Sequence, residues 1–385
     1  MNTLLHGVSS SVASLKRCNE KPYFPPKSSF FNNPSFFFQL FSRKAHLSFS
    51  CTAAYRPKPI GKRRTWRCDG EEEGWNLEVE WVEDGDLFGI SYSTLFRSYG
   101  MMTRHTKVDF AVQTGIEEAN GADLGVDVVA INVNNIITFG AKPSTLCLHR
   151  SGFIDRVGLA EKVFKGVDDA CKQSDCLLGE AFLPLRGYDA MFGLECRAIG
   201  RVRKDSVIDG ENIVAGDVLI GLPSSGVHCW GFSLVSRVLA QSGLSLKDQL
   251  PGGSGKPITL GEALMVPTVI YVKQVLDIIS KGGVKGIAHI TRGGFMNSLP
   301  RAFENCPGLG ATIYKDAWEV PAVFKLIQEA GRIGDAEMRR TFNMGIGMVL
   351  VVSPDAATRI LGEQHGGYSA YRIGEVTVGE GVTYQ

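Results

Sequence analysis

Three things are scarce in this chain of 385 residues. Net charge is the first: 41 Lys and Arg against 40 Asp and Glu leave +1, so no global field favours nucleic acid or an anionic membrane surface as partner. Long apolar runs are the second. The phenylalanine-rich stretch from Phe30 to Phe41 is broken by Asn, Pro, Ser and Gln, and nothing else approaches bilayer-spanning length. Metal-ligand spacing is the third: the nine cysteines are scattered, and the closest pair, Cys171 and Cys176, sits on a predicted helix with no histidine pair beside it. That excludes a zinc ribbon and fits a reducing compartment better than disulfides. What remains, 44% apolar and 21% charged, is the composition of a soluble two-domain protein that works on a small molecule.

Residues 1–54 hold ten serines and six Lys or Arg against one acid, Glu20. An acid-poor, serine-rich basic segment without a continuous apolar core reads as an organelle transit peptide. Serine outnumbers arginine, which ranks the plastid stroma above the mitochondrion. Residues 55–105 form a charged segment, basic and then acidic, in which Trp75, Val79 and Trp81 hint at one strand.

From Asp109 onward, strands and helices alternate in an α/β (α+β) pattern. Leu159, Val163, Phe164, Val167 and Cys171 make one apolar helical stripe between Gly158 and Ser174. "DVLIGL" (Asp217 to Leu222), "MGIGMVLVV" (Met344 to Val352) and Tyr371 to Val376 read as strands. Trp230 to Leu239 and Pro354 to Gly362 read as helices, and Leu264 to Ile279 as the longest helix, with Pro267 tolerated in its first turn. The polar stretch Lys204 to Gly216 separates an N-terminal domain, 106–208, from a C-terminal domain, 209–385.

Three stretches carry candidate chemistry. In "GVDVVAINVNNIITFGAKP" (Gly125 to Pro143), Asp127, Asn132, Asn134 and Asn135 place oxygens along an apolar element. They suit either a hard cation or capping and turn chemistry. "SSGVHCWGFSL" (Ser224 to Leu234) follows a strand and opens a helix, so its N–H groups and His228 form an anion cradle or an N-capped helix with a buried histidine. "AHITRGGF" (Ala288 to Phe295) repeats that layout, and two such loops in one domain point to a phosphate-bearing ligand.

In this order the stretches resemble the aminoimidazole ribonucleotide synthetase (AIR synthase) family, the phosphoribosylformylglycinamidine cyclo-ligases of purine biosynthesis. "NIVAGDVLIGLPSSGVH", "LGEALMVPTVIYVKQVLDIISKGGVKGIAHIT", "EMRRTFNMGIGMVLVVS" and "YRIGEV" are similar to plant-type members almost throughout. The resemblance implies ATP-dependent closure of formylglycinamidine ribonucleotide to aminoimidazole ribonucleotide, with Mg²⁺, in a homodimer whose first modules share a sheet. It places Lys107, Glu180 and His228 in catalysis, and Thr106, Lys107, Ser225, Gly226, His228, Thr291, Gly293 and Gly294 around ATP. Asn134, Asn135 and Glu180 fall at the metal.

The chain departs from the family at loop tips. "DGVGTK" survives only as Thr106-Lys107, the Asp of "VND" is Asn135, and "GGETAEMP" keeps Gly179 and Glu180. "HSNG" reads His228-Cys229-Trp230-Gly231, and "TGGG" reads Thr291-Arg292-Gly293-Gly294. Lost carboxylate charge and the bulk of Trp230 and Arg292 predict weak or absent ligase activity. The alternative function is then an impaired paralogue that at most binds nucleotide or a partner subunit.

Overall fold

The computed structural model describes residues 64–67, 76–83, 93–102, 107–115, 117–151, 157–180, 193–250, 257–363 and 369–385. Residues 1–54, where a transit peptide is expected, Thr106 and most of the charged segment lie outside them. The first described strands are β1 (Arg64–Arg67), β2 (Asn76–Glu83) and β3 (Ser93–Met102). They are followed by α1 (Lys107–Thr114), α2 (Glu117–Ile137), β4 (Lys142–Ser151), α3 (Val157–Gln173), β5 (Leu177–Glu180) and β6 (Gly193–Arg203). These strands form one sheet in the order β1-β2-β3-β6-β4-β5, in which only the β4–β5 pair is parallel.

The second half contributes β7 (Val218–Pro223), α4 (Phe232–Ser242), α5 (Leu260–Met265), α6 (Val272–Ser280), β8 (Val284–His289) and the short α7 (Gly294–Ser298). Then come β9 (Leu309–Ile313), α8 (Ala322–Gly331), α9 (Asp335–Thr341), β10 (Ile346–Val352), α10 (Pro354–Gly362), β11 (Tyr371–Val378) and β12 (Val382–Tyr384). The second sheet runs β12-β9-β11-β7-β10-β8. No described helix is long and apolar enough to cross a membrane.

Local chemistry sets the helix ends. Thr259 and Glu262 close a capping box on α5, and Ser353 caps α10 with Pro354 in its first turn. The segment expected as one helix from Leu264 to Ile279 is two. Residues preceding proline avoid helical backbone, and Val266 takes φ −52, ψ 128, so α5 stops before Pro267. The chain then runs without regular structure to α6. Cys176, expected on the helix of Cys171, falls past its end: Asp175 turns at φ 55 and the Cys176 N–H bonds to the Cys171 carbonyl. The six described cysteines are free thiols.

The largest core runs without a break from α1, α2 and α3 into α4, α5 and α8. Phe110 and Phe232 meet across this junction with ring centroids 5.1 Å apart. The strands of the second sheet separate two smaller cores. Helices α2 and α3 approach so closely that glycines form the contact. A Cβ on Gly125 would stand 2.1 Å from the Val163 carbonyl oxygen, and one on Gly166 would stand 1.8 Å from that of Ala122.

Substituting alanine at Gly166 therefore sets two effects against each other. Helix propensity favours it by about 1 kcal/mol. Displacing backbone in a packed interface costs about 3 kcal/mol or more, so packing wins. Gly166→Ala is expected to lower the thermal midpoint by roughly 5 °C, measured by circular dichroism; an unchanged or raised midpoint would refute the close approach.

Candidate functional site

The site begins at the first residue of α1. Lys107 is fully buried, and its Nζ lies 3.0 Å from Asp127 Oδ2, 3.2 Å from Asp127 Oδ1 and 2.7 Å from the Val266 carbonyl oxygen. An ammonium group has three donors, and these oxygens surround it. Asp127, on α2 and equally buried, also accepts the Thr268 N–H at 2.7 Å.

The stretch between α5 and α6 is thus fastened by side chains rather than by a helical ladder. Asn134 donates to the Val269 carbonyl at 2.8 Å and accepts from the Tyr271 N–H at 3.0 Å. The Ser225 hydroxyl donates to the Pro267 carbonyl at 2.6 Å. Cys229 Sγ and Thr268 Oγ1 are 3.2 Å apart. The Tyr271 hydroxyl reaches back to the Pro223 carbonyl at 2.7 Å. This strap, residues 266–271, consequently ties α1 and α2 to the loop that follows β7.

That loop is held from its other side by Asn343, which donates to the Gly226 carbonyl at 2.9 Å and lies 3.1 Å from the Ser224 hydroxyl. Within it, His228 Nε2 accepts the Ser225 N–H at 3.2 Å, leaving Nδ1 to carry the proton. His228 Nδ1 is buried and has no protein partner. Burial, then Lys107 and His289, hold the imidazole far below the ordinary histidine range, so His228 presents a neutral N–H donor. Gly347 makes room for it, since a Cβ there would lie 2.1 Å from the Tyr271 hydroxyl and 2.6 Å from His228 Cε1.

One residue beyond Asn134, Asn135 turns to a different partner. Its Oδ1 lies 2.9 Å from His289 Nδ1 at the end of β8. Burial, then Arg301, lower the His289 pKa to about 3. Both residues line a small cavity of about 50 Å³ with Ser298 and Arg301.

The next loop is Thr291-Arg292-Gly293-Gly294. The Thr291 N–H donates to the Ser298 hydroxyl at 3.1 Å. Gly293 and Gly294 take φ 88 and φ 58, and a Cβ on Gly294 would lie 2.0 Å from the Arg339 carbonyl oxygen. These two positions require glycine. Arg292 is exposed. Trp230 is half-buried and packs on the large core.

The structure brings Lys107, Asn134, Ser225, Gly226 and His228 to one strap and its loop. Asn135 lies beside His289, ahead of Thr291, Gly293 and Gly294. The backbone of Glu180 closes β5, its side chain lies outside the described residues, and Thr106 lies outside them too. Sequence reasoning missed His289, Thr268, Tyr271 and Asn343. His289 stood inside the quoted "AHITRGGF", and its place at the end of an apolar strand-like run, just ahead of the glycine loop, was the available signal.

Residues 101–200 match the N-terminal domain of AIR synthase related protein, and residues 214–385 match its C-terminal domain. The chain belongs to the AIR synthase family. It is 62% identical over 283 residues to the chloroplastic/mitochondrial phosphoribosylformylglycinamidine cyclo-ligase of Vigna unguiculata, covering 72% of this chain and 70% of that protein. The chloroplastic ligase of Arabidopsis thaliana is 60% identical over 284 residues, 73% and 71% of the two chains. That of Sorangium cellulosum is 40% identical over 279 residues, 70% and 77%. A thiamine-monophosphate kinase from Stenotrophomonas maltophilia shares the AIR synthase fold with TM-score 0.55 at 16% identity, over 77% of this chain and 86% of that one. A hydrogenase maturation protein shares it with TM-score 0.52 at 17% identity, over 77% and 82%.

Two buried neutral histidines make stability pH-dependent. The unfolded chain takes up a proton on each near pH 6.5, and the folded chain does so only at much lower pH. Depressed folded pKa values mean that stability is intact above the unfolded value and falls as pH drops below it. By pH 5 the loss is about 2 kcal/mol per histidine. Urea denaturation between pH 7.5 and 5 is expected to show this slope, and His289→Gln to reduce it; an identical slope in the variant would contradict the assignment.

Proposed function

We propose that this AIR synthase family member catalyses ATP-dependent ring closure of formylglycinamidine ribonucleotide to aminoimidazole ribonucleotide. The observation that carries the reading is its 60–62% identity, over 72–73% of the chain, to plant proteins named for that ligase reaction. The chemistry transfers a phosphoryl group to the formyl oxygen, after which nitrogen attacks that carbon and phosphate leaves. Such a reaction needs oriented donors at developing negative charge. The unpartnered Nδ1–H of His228 fits an acceptor such as a phosphate or formyl oxygen. Gly226 fits close backbone approach, since a Cβ there would find only the Ala263 carbonyl oxygen, at 3.6 Å.

Mg²⁺ fits less well. Asn134 Oδ1 and Asn135 Oδ1 already face Tyr271 and His289, neither side chain carries charge, and no described group of three His, Cys, Asp or Glu residues is placed to hold a metal. That observation favours a second reading, the impaired paralogue that acts through nucleotide or a partner subunit. It stands on the residues alone, because the relatives give no sign of impairment.

In either reading we place the protein in the plastid stroma, in line with its plant relatives. We also assign it a homodimer across the first sheet. The face turned away from α2 carries the half-buried Cys147, Arg197 and Ile199 and the exposed Leu177.

Purified protein with ATP, Mg²⁺ and formylglycinamidine ribonucleotide is expected to form aminoimidazole ribonucleotide and phosphate in equal amounts. Absence of product at micromolar enzyme would remove the ligase reading. Asn135→Asp, which returns a carboxylate to the metal position, is expected to raise the rate on the order of tenfold. A rise only in that variant would favour the impaired paralogue.

A further inference from the structure

The residue expected to touch ATP most directly, Lys107, is in the wrong state to do so. Its ammonium is fully buried, and its donors face both Asp127 oxygens and the Val266 carbonyl. Reaching a phosphate would mean leaving a desolvated carboxylate unpaired, which is strongly unfavourable. What these groups hold is the strap. Five of its backbone groups, on Val266, Pro267, Thr268, Val269 and Tyr271, end on side chains of Lys107, Ser225, Asp127 and Asn134. Of these the Ser225 to Pro267 bond, together with one further bond from the Tyr271 hydroxyl to the Pro223 carbonyl, passes the restraint to the loop that carries His228.

We propose that Lys107, Asp127 and Asn134 are positioning residues which fix the strap 266–271, and through it the loop 223–229, instead of contacting nucleotide or metal. The bonds link the first residue of α1 and the middle of α2 across the strap to Ser225 and the loop of His228. The inference deepens the ligase reading by assigning roles within the same site. Its test needs no turnover, so it stands or fails separately from that reading.

Two measurements decide it. Lysine acetylation of the intact protein, read by mass spectrometry, is expected to leave Lys107 unmodified with and without a non-hydrolysable ATP analogue. Modification of free protein that the analogue suppresses would make Lys107 a nucleotide contact and overturn the proposal. Amide hydrogen exchange tests the transmission. Asn134→Ala is expected to speed exchange at Tyr271, and also in the segment of Ser225 and His228, on the order of tenfold, while β10 is unchanged. A merely local structural role would stop at the strap, and that result overturns the proposal. Asp127→Asn keeps an oxygen for the Thr268 N–H and is expected to exchange more slowly there than Asp127→Ala; equal exchange in the two variants would contradict the assigned bond.

Discussion

The buried ion pair of Lys107 and Asp127 is the constraint on which the rest of the site depends. Two charges removed from water cost more than their attraction returns unless every remaining donor and acceptor is met. Here Asp127 Oδ2 keeps its ion-pair contact with Lys107 at 3.0 Å but no hydrogen bond, and the Val266 carbonyl and the Thr268 N–H supply the pair's other partners. Both belong to the second half of the chain, so the pair is satisfied only when the two halves are docked. Removing either charged partner alone leaves the other stranded, at a cost of about 3–5 kcal/mol. The strap is non-helical for the same reason: a helix would turn those groups inward to its own ladder, whereas Pro267 frees them for α1 and α2.

Close packing then converts this fastening into a rigid site. The cores of the two halves are one continuous cluster around Phe110 and Phe232, which gives the ion pair its dry surroundings. Gly347 lets β10 pass directly beneath Tyr271 and His228, and Asn343 binds the loop from the opposite side to the strap. His228 is therefore held between its own loop, Tyr271 at the end of the strap, and β10. Its ring orientation follows from the Ser225 N–H, which takes the Nε2 lone pair and leaves the proton on Nδ1. A ligand oxygen meeting that proton replaces no existing bond.

Much of this was legible in the sequence. Apolar periodicity located α3, α4, α10 and the central strands because those elements bury one stripe or a whole strand. The two glycine-bearing loops after β7 and β8 were recognisable as strand-to-helix junctions. The single helix read across Leu264 to Ile279 failed because apolar spacing continues through the strap. Its backbone partners, Lys107, Asp127 and Asn134, lie more than 130 residues away in sequence, and no local pattern signals them. Lys107 and Asn134 were noticed as residue types that bind ligands. Their burial, and so their actual partners, was visible only in three dimensions.

The exchange of a carboxylate for Asn135 is best understood through its neighbour. An aspartate against His289 would draw a proton onto the imidazole and make a second buried ion pair. An amide oxygen there leaves His289 neutral, in keeping with its lowered pKa, and the contact becomes an uncharged hydrogen bond. The packing at this junction therefore accommodates asparagine without strain, while any role that needs negative charge is withdrawn. A substitution can be silent for the fold and consequential for chemistry when the fold uses only the oxygen and the chemistry uses the charge. Asn134 illustrates the complementary case: the strap uses both ends of its amide, donor and acceptor. A carboxylate at that position would lose the donor to Val269 and bring its charge against a carbonyl, so at 134 it is the fold itself that requires asparagine.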